Sequence, residues 1–351
     1  MGEERDTMKK LNVLSLFDGI SAGMVALERA GIPVNNYFSS EINKYAIRIA
    51  DTNYPNIIQL GDVTNWKAWE LPKIDMLIGG SPCNGFSSAG NKLGFDDNNS
   101  KLFFEYINIL NYYKPKYFLL ENVKMQTDWQ NIITSHMNVE PILINSALVS
   151  AQDRKRMYWT NIPDVTEPKD KHIYLKDILL GLEKETLSSD NIGNLNMHPS
   201  GRGINGYVYS VNRNKSRTIG TNKGEGHKVA VPLKTKTLNK NIGIEFYGYT
   251  SSYKDLNRNR KVFFQKPTGS EQFKLGDKVD FVIVDENENN KTVTYGYIKK
   301  LSPIESERLQ TLPDNFTNVS GVSTTQRYFR IGNSWTTDVI THIFSFIKKE
   351  I

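Results

Sequence analysis

Leu11-Asn-Val-Leu-Ser-Leu-Phe-Asp-Gly-Ile-Ser-Ala-Gly23 is the stretch on which the fold turns. Asn12 to Leu16 reads as a buried strand, Gly19 punctuates a turn, and Ala22 to Ala30 reads as the helix that follows. A glycine at such a turn lets backbone amides approach a ligand closely, and the start of the helix favours anionic or carboxylate groups. The spacing Gly19-x-Ser-x-Gly23 falls short of the full GxGxxG fingerprint, so a single nucleoside suits it better than a dinucleotide.

Working outward, apolar strands alternate with amphipathic helices. Strands are predicted at 37–40, 57–60, 75–78 and 117–120, and a helix near 42–51. Leu102, Phe103, Tyr106, Ile107 and Leu110 form the apolar face of another helix. Strands joined by helical crossovers imply an α/β, doubly wound, Rossmann-like sheet, with its chemistry at the carboxyl ends of the strands. After about residue 180 the texture changes to Gly, Asn, Ser and Lys. Short runs at 206–211, 245–249, 279–284 and 292–298 suggest a smaller β-rich module. A helix start returns at Pro303, and 337–348 reads as a closing amphipathic helix. The expected organisation is a catalytic domain over 1–178, a second domain over 179–320, and a segment over 321–351 that rejoins the first.

Charge singles out the second domain. Of the net +6 of the 351 residues, 201–270 alone hold 14 Lys and Arg against 3 Asp and Glu, so the rest of the chain is net acidic. A basic block of that size suits a polyanion. The single cysteine excludes intramolecular disulfides and Cys-based zinc clusters, and no metal is expected. No apolar run is long enough to cross a membrane, and the first ten residues lack the apolar stretch of a signal peptide. The expectation is a cytoplasmic protein with no membrane partner.

Chemistry-bearing residues fall at successive strand ends. Glu41 closes the second strand, where a carboxylate can accept from ribose hydroxyls. Asp62, after the third, can accept from an adenine amino group. The lone cysteine, Cys83, leaves the fourth strand in Gly79-Gly-Ser-Pro-Cys83. A free cysteine is commonly a small buried hydrophobe, but a polar, Gly-rich loop is a poor place to bury one. A thiol is already a usable nucleophile near neutral pH. Glu121 closes the fifth strand. In its protonated form it can donate to a ring nitrogen of a base while accepting from an exocyclic amine; the competing reading is a helix-capping acid. Arg154 and Arg156 alternate on an extended segment, able to hold phosphate or a base oxygen, or to lie on a solvated edge.

Six segments then match, in order, the motif set of the C5-cytosine DNA methyltransferases. They are Phe17-Asp-Gly19, Gly80-Ser-Pro-Cys83, Glu121-Asn-Val123, Gln152-x-Arg-x-Arg156, Glu307-Arg-Leu-Gln310 and Gly332-Asn-Ser334. The chain resembles that family over about 1–165 and 298–350, and its first, second and last motifs look closest to the Dnmt3-like branch. Residues 180–297 correspond to the family's variable target-recognition domain. Two motifs depart from common bacterial members: Ser21 stands where a second glycine falls, and Thr311-Leu312 replaces Gly-Phe after Arg308-Leu-Gln310. Asn84 also replaces the usual glutamine after Pro-Cys.

The resemblance implies a cofactor, S-adenosyl-L-methionine, leaving as S-adenosyl-L-homocysteine, and a double-stranded DNA substrate. It implies that Cys83 adds to cytosine C6 while Glu121 holds N3, with Arg154 touching the cytosine and Arg156 its companion. Phe17, Asp18, Gly19, Ile20 and Gly23 would form the cofactor loop, Phe17 lying against the adenine, with Glu41, Ile42, Asp62 and Val63 from the next strands. Pro82 and Leu102 would border the same pocket, and Asn333, Ser334 and Trp335 would return to complete it. DNA contacts are expected from Ser87, Asn122 and Gln152, and from the basic block through Arg213, Lys215, Arg217, Lys223, Arg258 and Arg260. The stretch 84–100 reads as a loop that closes over flipped DNA. A cognate restriction endonuclease would act independently.

Three other readings fit less well. The RNA-modifying branch of the same fold carries a Cys-Phe-Thr signature, which a chain whose one cysteine lies in Pro82-Cys-Asn84 cannot contain. A catalytically idle, DNA-binding relative would not need Cys83, Glu121 and Arg154 together. A cysteine hydrolase would need a histidine partner; no histidine lies near the Cys83 motif, and none of the five has a triad-like setting.

Overall fold

The computed structural model describes residues 9–82, 102–181, 208–210, 215–218, 228–239, 249–251, 260–264, 281–286 and 290–347. Strand β1 (Leu11–Leu16) is a nearly continuous apolar run, buried on both faces, as an interior parallel strand must be. It pairs in parallel with β2 (Val34–Ser40) on one side and β4 (Met76–Gly80) on the other. β2 pairs with the short β3 (Ile58–Gln59), and β4 with β5 (Tyr117–Val123), all parallel. β8 (Lys155–Thr160) joins β5 antiparallel and is flanked by β6 (Ile142–Asn145), also antiparallel. The seven-stranded order is β3-β2-β1-β4-β5-β8-β6. β7 (Gln152–Asp153) lies just before β8.

Alternate residues of β1 send the core to both faces. Val13 packs with Ala26 and Leu27 of α1 (Ala22–Ala30) and with Ile340 and Phe344 of α8 (Thr337–Phe344). Leu14 and Leu16 pack on the opposite side with Phe103 and Tyr106 of α3 (Leu102–Tyr113) and Ile133 of α4 (Thr127–Met137). A third cluster ties Ile20 and Val25 to Ile49 of α2 (Lys44–Asn53) and to Leu312 and Phe316 from the far end of the chain. Local signals set the helix limits. Asn43 caps α2 by accepting from the amides of Tyr45 and Ala46, and Gly31 ends α1 in the left-handed conformation.

The chain divides into two units. The first holds 1–173, 217–221 and 306–351; the second holds 174–216 and 222–305. The first unit thus regains the chain at 306, where the sequence suggested 321. The reason is polar burial in the last helices. Glu307 of α6 (Pro303–Leu309) is fully buried and accepts from the Thr317 amide at 2.9 Å and the Asn315 amide at 2.7 Å. It also pairs with Arg327 of α7 (Thr324–Asn333) at 3.1 Å, so 306–333 folds as one clasp.

The second unit opens with the short helix α5 (Leu175–Ile178). Its strands are β9 (Val208–Ser210), β11 (Lys228–Asn239), β12 (Tyr249–Ser251), β13 (Arg260–Phe264), β14 (Phe281–Glu286) and β15 (Asn290–Lys300), while β10 (Ser216–Arg217) spans the point where the first unit takes up 217–221. Its sheet runs β12-β13-β14-β15-β11-β9, antiparallel except for β9 against β11. The long strand β11 had no counterpart among the runs read from the sequence. Pro232 lies inside it, and the register against β15 shifts at that point. A proline lacks a ladder N–H, so it is tolerated where pairing is already interrupted.

Candidate active site

The site lies where β1 and β4 run side by side and their following segments leave in opposite directions, the usual crevice of a doubly wound sheet. Leu16 is opposite Gly79, and Gly80 is opposite Glu121 of β5, so three strand ends border one space.

The loop after β1 is wound tightly. Phe17, Gly19 and Ser21 all have positive φ, at 55°, 63° and 58°. Left-handed backbone costs a non-glycine residue about 1–2 kcal/mol. Asp18 supplies the compensation. Its Oδ1 accepts from Ser15 Oγ at 2.6 Å and Tyr37 OH at 2.7 Å, and its Oδ2 from Ser39 Oγ at 2.9 Å and from Ser21 Oγ. Ser21 therefore holds a glycine-like conformation through a charge-assisted hydrogen bond. Asp18 itself, expected at the cofactor, turns its carboxylate into this socket of four hydroxyls. Burial, and then the Asp18 carboxylate, push the Tyr37 phenol well above its usual range.

The second departure from the family pattern obeys the same rule. Thr311 has φ 53°, a costly conformation for a β-branched residue. Its Oγ1 donates to the Gln310 carbonyl at 2.7 Å and accepts from the Asp338 amide at 2.8 Å.

Glu41 closes the loop from outside. Its Oε2 accepts from the Gly19 amide at 2.9 Å, and its Oε1 from the Ile42 and Asn43 amides. Ile42 beside it is 73% exposed, an unusual state for a large aliphatic side chain and a ready surface for a flat ring. Asp62 uses Oδ1 to cap the turn at Val63–Ala68, accepting from Thr64, and its Oδ2 has no partner among the described residues. Val63 and Ile20 bury their side chains in the core, leaving only backbone to face a ligand. Gly23 is a packing glycine: a Cβ there would lie 2.7 Å from Ile78 and 2.8 Å from the Tyr37 hydroxyl. Pro82 and Leu102 are half-buried, and Asn333 is exposed beside the buried Ser334.

Glu121 is the carboxylate that the end of β5 presents beside Gly80. It is almost buried, and its Oε1 takes the Arg156 Nε at 2.9 Å. Oε2 points the other way, 3.0 Å from where a Cβ of Gly80 would be. The indole Nε1 of Trp335 is 3.0 Å from that same point, so Gly80 is the gap into which a carboxylate oxygen and an N–H donor both reach. The structure thus sets Arg156 against Glu121. Arg154 is buried and donates to the Ser334 carbonyl at 3.3 Å. Burial first, and then the Glu121 charge, push the Tyr158 phenol upward.

Two residues expected at DNA face inward. Asn122 donates to Ser81 Oγ at 2.9 Å and accepts from the Val123 amide. Gln152 is fully buried and donates to the Leu309 carbonyl and Gln310 Oε1. Lys215 lies 5.6 Å from the ring centre of Tyr174, in cation–π contact. Arg217 and Arg260 are described as strand backbone alone. Cys83, Ser87, Arg213, Lys223 and Arg258, and the expected loop 84–100, lie outside the described residues.

The hydroxyl socket was not read from the sequence, though a signal exists: Ser15 and Ser39 are polar residues opposite one another in buried parallel strands. Arg330 was also missed. Burial holds its guanidinium below the usual range against the pull of the Glu41 carboxylate, and its Nε is buried without a partner among the described residues.

A family model for C-5 cytosine-specific DNA methylase matches residues 11–349. The chain belongs to the C-5 cytosine-specific DNA methylases. It is a DNA (cytosine-5-)-methyltransferase. Among its relatives, the orphan methyltransferase M.SPRI of Bacillus phage SPR is 30% identical, over 98% of this chain and 100% of that one. The type II methyltransferase M1.ScrFI of Lactococcus lactis subsp. cremoris is 31% identical, over 95% of this methylase and 76% of the relative. The fold is shared with the Entamoeba histolytica methyltransferase EhMeth (TM-score 0.62, 15% identity, 98% and 100% of the two chains). It is shared as well with the S. pombe Dnmt2 methyltransferase (TM-score 0.58, 15% identity, 97% and 99%). Among the described residues of the methylase, no helix is long and apolar enough to cross a membrane, and no cluster of His, Cys, Asp and Glu could hold a metal.

Proposed function

We propose that the methylase acts on a cytosine flipped out of duplex DNA, with Cys83 as nucleophile and Glu121 and Arg156 holding the base. The observation that carries this reading is the Glu121–Arg156 pair beside Gly80. One carboxylate oxygen is spent on the guanidinium, which fixes the side chain, and the other has no partner among the described residues. A base entering there meets a carboxyl group able to engage N3 and the exocyclic amine, with the guanidinium next to it for the ring carbonyl. The Cys83 sulfur adds to C6, and the ring electrons pass to C5, which becomes the nucleophilic carbon. After transfer, a base removes the C5 proton, the C6–S bond breaks and the thiolate leaves. Dividing one hard substitution into two easier steps is the advantage of covalent catalysis. Base flipping is required because C5 and C6 are stacked within the duplex.

S-adenosyl-L-methionine, when bound, supplies the methyl group. The residues present fit it: the exposed Ile42 face for the adenine, the unused Asp62 Oδ2 for its amino group, and Glu41 near the ribose. Asn333, Ser334 and Trp335 close the other side. Asp18, Ile20 and Gly23 support this pocket through the loop's shape and their backbone.

The basic second unit, which carries Lys215, would neutralise phosphates and give salt-sensitive binding to double-stranded DNA. One relative is an orphan phage enzyme and another a type II enzyme. An accompanying restriction endonuclease would act independently of this chain.

The test is methyl transfer from labelled S-adenosylmethionine to genomic DNA by wild type and Cys83→Ser, followed by bisulfite sequencing. The expected result is 5-methylcytosine in one short context, absent with the mutant. Transfer that persists in Cys83→Ser would sink the covalent reading.

A further inference from the structure

The Gln152, Glu307–Gln310 and Gly332–Ser334 segments meet in one buried polar network that no step above uses. Gln310 is fully buried and makes four side-chain hydrogen bonds. Its Nε2 donates to the Ile331 carbonyl at 3.0 Å and the Ser334 carbonyl at 3.1 Å. Its Oε1 accepts from Gln152 Nε2 at 3.1 Å and from Thr336 Oγ1 at 2.9 Å. The Ser334 carbonyl is shared, because Arg154 donates to it as well at 3.3 Å. The Gln310 carbonyl in turn accepts from the Thr337 amide at the start of α8.

Two consequences follow from this arrangement. The peptide between Ser334 and Trp335 has its carbonyl held by donors from two other segments, so its orientation is set by the network rather than by its own turn. The strand end at Gln152–Arg154, which leads into β8 and Arg156, is clamped to the same point. An amide buried with its hydrogen-bonding capacity filled has no alternative partner of equal quality, so either segment shifts only if the other does.

We propose that Gln310 is a positioning residue that couples cofactor binding to capture of the target base. This rests on the functional reading above, in which Ser334 and Trp335 face the cofactor and Arg156 grips Glu121. Occupancy on the cofactor side would steady the Ser334 peptide and, through Gln310, Gln152 and Arg154, the strand that presents Arg156. Coupling of this kind is reciprocal, so each ligand tightens the other by one common factor.

The experiment measures the Kd of a duplex carrying the site found by bisulfite sequencing, with and without saturating S-adenosylhomocysteine. It compares wild type, Gln310→Glu and Thr336→Val. Gln310→Glu keeps an acceptor for Gln152 and Thr336 but loses the amide donor to two carbonyls. Thr336→Val keeps the shape and removes the hydroxyl that donates to Gln310 and accepts from Ser146, so it remains informative if the first variant does not fold. Wild type is expected to bind DNA about fivefold or more tightly with the cofactor product present. That ratio should fall close to one in Gln310→Glu and by about half in Thr336→Val. A merely structural role would weaken both ligands separately and leave the ratio intact. An unchanged ratio in whichever variants fold, or no ratio in a wild type that binds both ligands, overturns the proposal. Failure of wild type to bind DNA or S-adenosylhomocysteine at all would instead count against the functional reading.

Discussion

Gly80 shows how much a single absent methyl group can decide. Glu121 Oε2 and Trp335 Nε1 each come within 3.0 Å of the position its Cβ would take. A methyl there must push aside both the acid and the indole, which the proposed function places at the target base and the cofactor. Gly80→Ala should therefore fold, because it replaces one strand-end residue, yet lose activity by about 100-fold, the scale of an ångström-sized misplacement. Steady-state rates beside a thermal melt would check this; a folded, fully active Gly80→Ala would refute the tight approach. The mirror case is Asp18, whose carboxylate is spent on hydroxyls and shapes the loop after β1 from behind.

At the scale of elements, the clasp formed by α6 and α7 holds the C-terminal part of the first unit. Glu307 is fully buried, and Arg327 is its ion-pair partner. Removing one member of such a pair strands the other charge away from water, which costs about 3–5 kcal/mol. Glu307→Ala should lower urea stability by that amount, while surface pairs such as Lys171–Asp338 contribute far less. A loss under about 1 kcal/mol would mean that the clasp is not closed in solution. The same elements show where sequence patterns were sufficient. β1, β4, β5 and α1 announce themselves by apolar runs and a glycine-marked turn, whereas β11, with Pro232 and alternating Lys and Thr, does not.

Across the whole molecule, buried phenols set the alkaline limit. Burial pushes Tyr37, Tyr106 and Tyr158 above the usual range. Their folded values exceed the unfolded value of about 10, so this stabilisation is complete below about pH 10 and is lost as pH rises further. Urea midpoints should hold to about pH 10 and then fall, less steeply in Tyr106→Phe; an equal slope in that variant would remove the phenol from the account. On the acid side, Asp75 is a group of opposite sign. At Asp75, burial is the largest influence and raises the carboxyl, but the Asn12 amide and the Lys9 ammonium outweigh it and hold it below the usual range. That contribution is present above about pH 4 and is lost as pH falls through the lowered value.

What the sequence by itself determined is the doubly wound first unit, the order of its strand-end motifs and the membership of the methylase family. These depend on hydrophobic period, on turn residues and on short motifs, all written locally in the chain. What only the tertiary structure decided is which motif residues face the crevice. Gln152 and Asn122 stand in ligand-like motifs yet are buried in hydrogen bonds to Leu309, Gln310 and Ser81. Arg156, rather than Arg154, holds Glu121, because antiparallel β8 sets Arg156 opposite Val123 and beside the end of β5. The place where the chain rejoins the first unit, 306 instead of 321, was likewise hidden, since Glu307 finds its partners at 315, 317 and 327 only once the chain has folded back. Hydrophobic period is a property of neighbours in sequence. The partner of a buried polar group is a property of neighbours in space, and a motif does not say which way its side chains will turn.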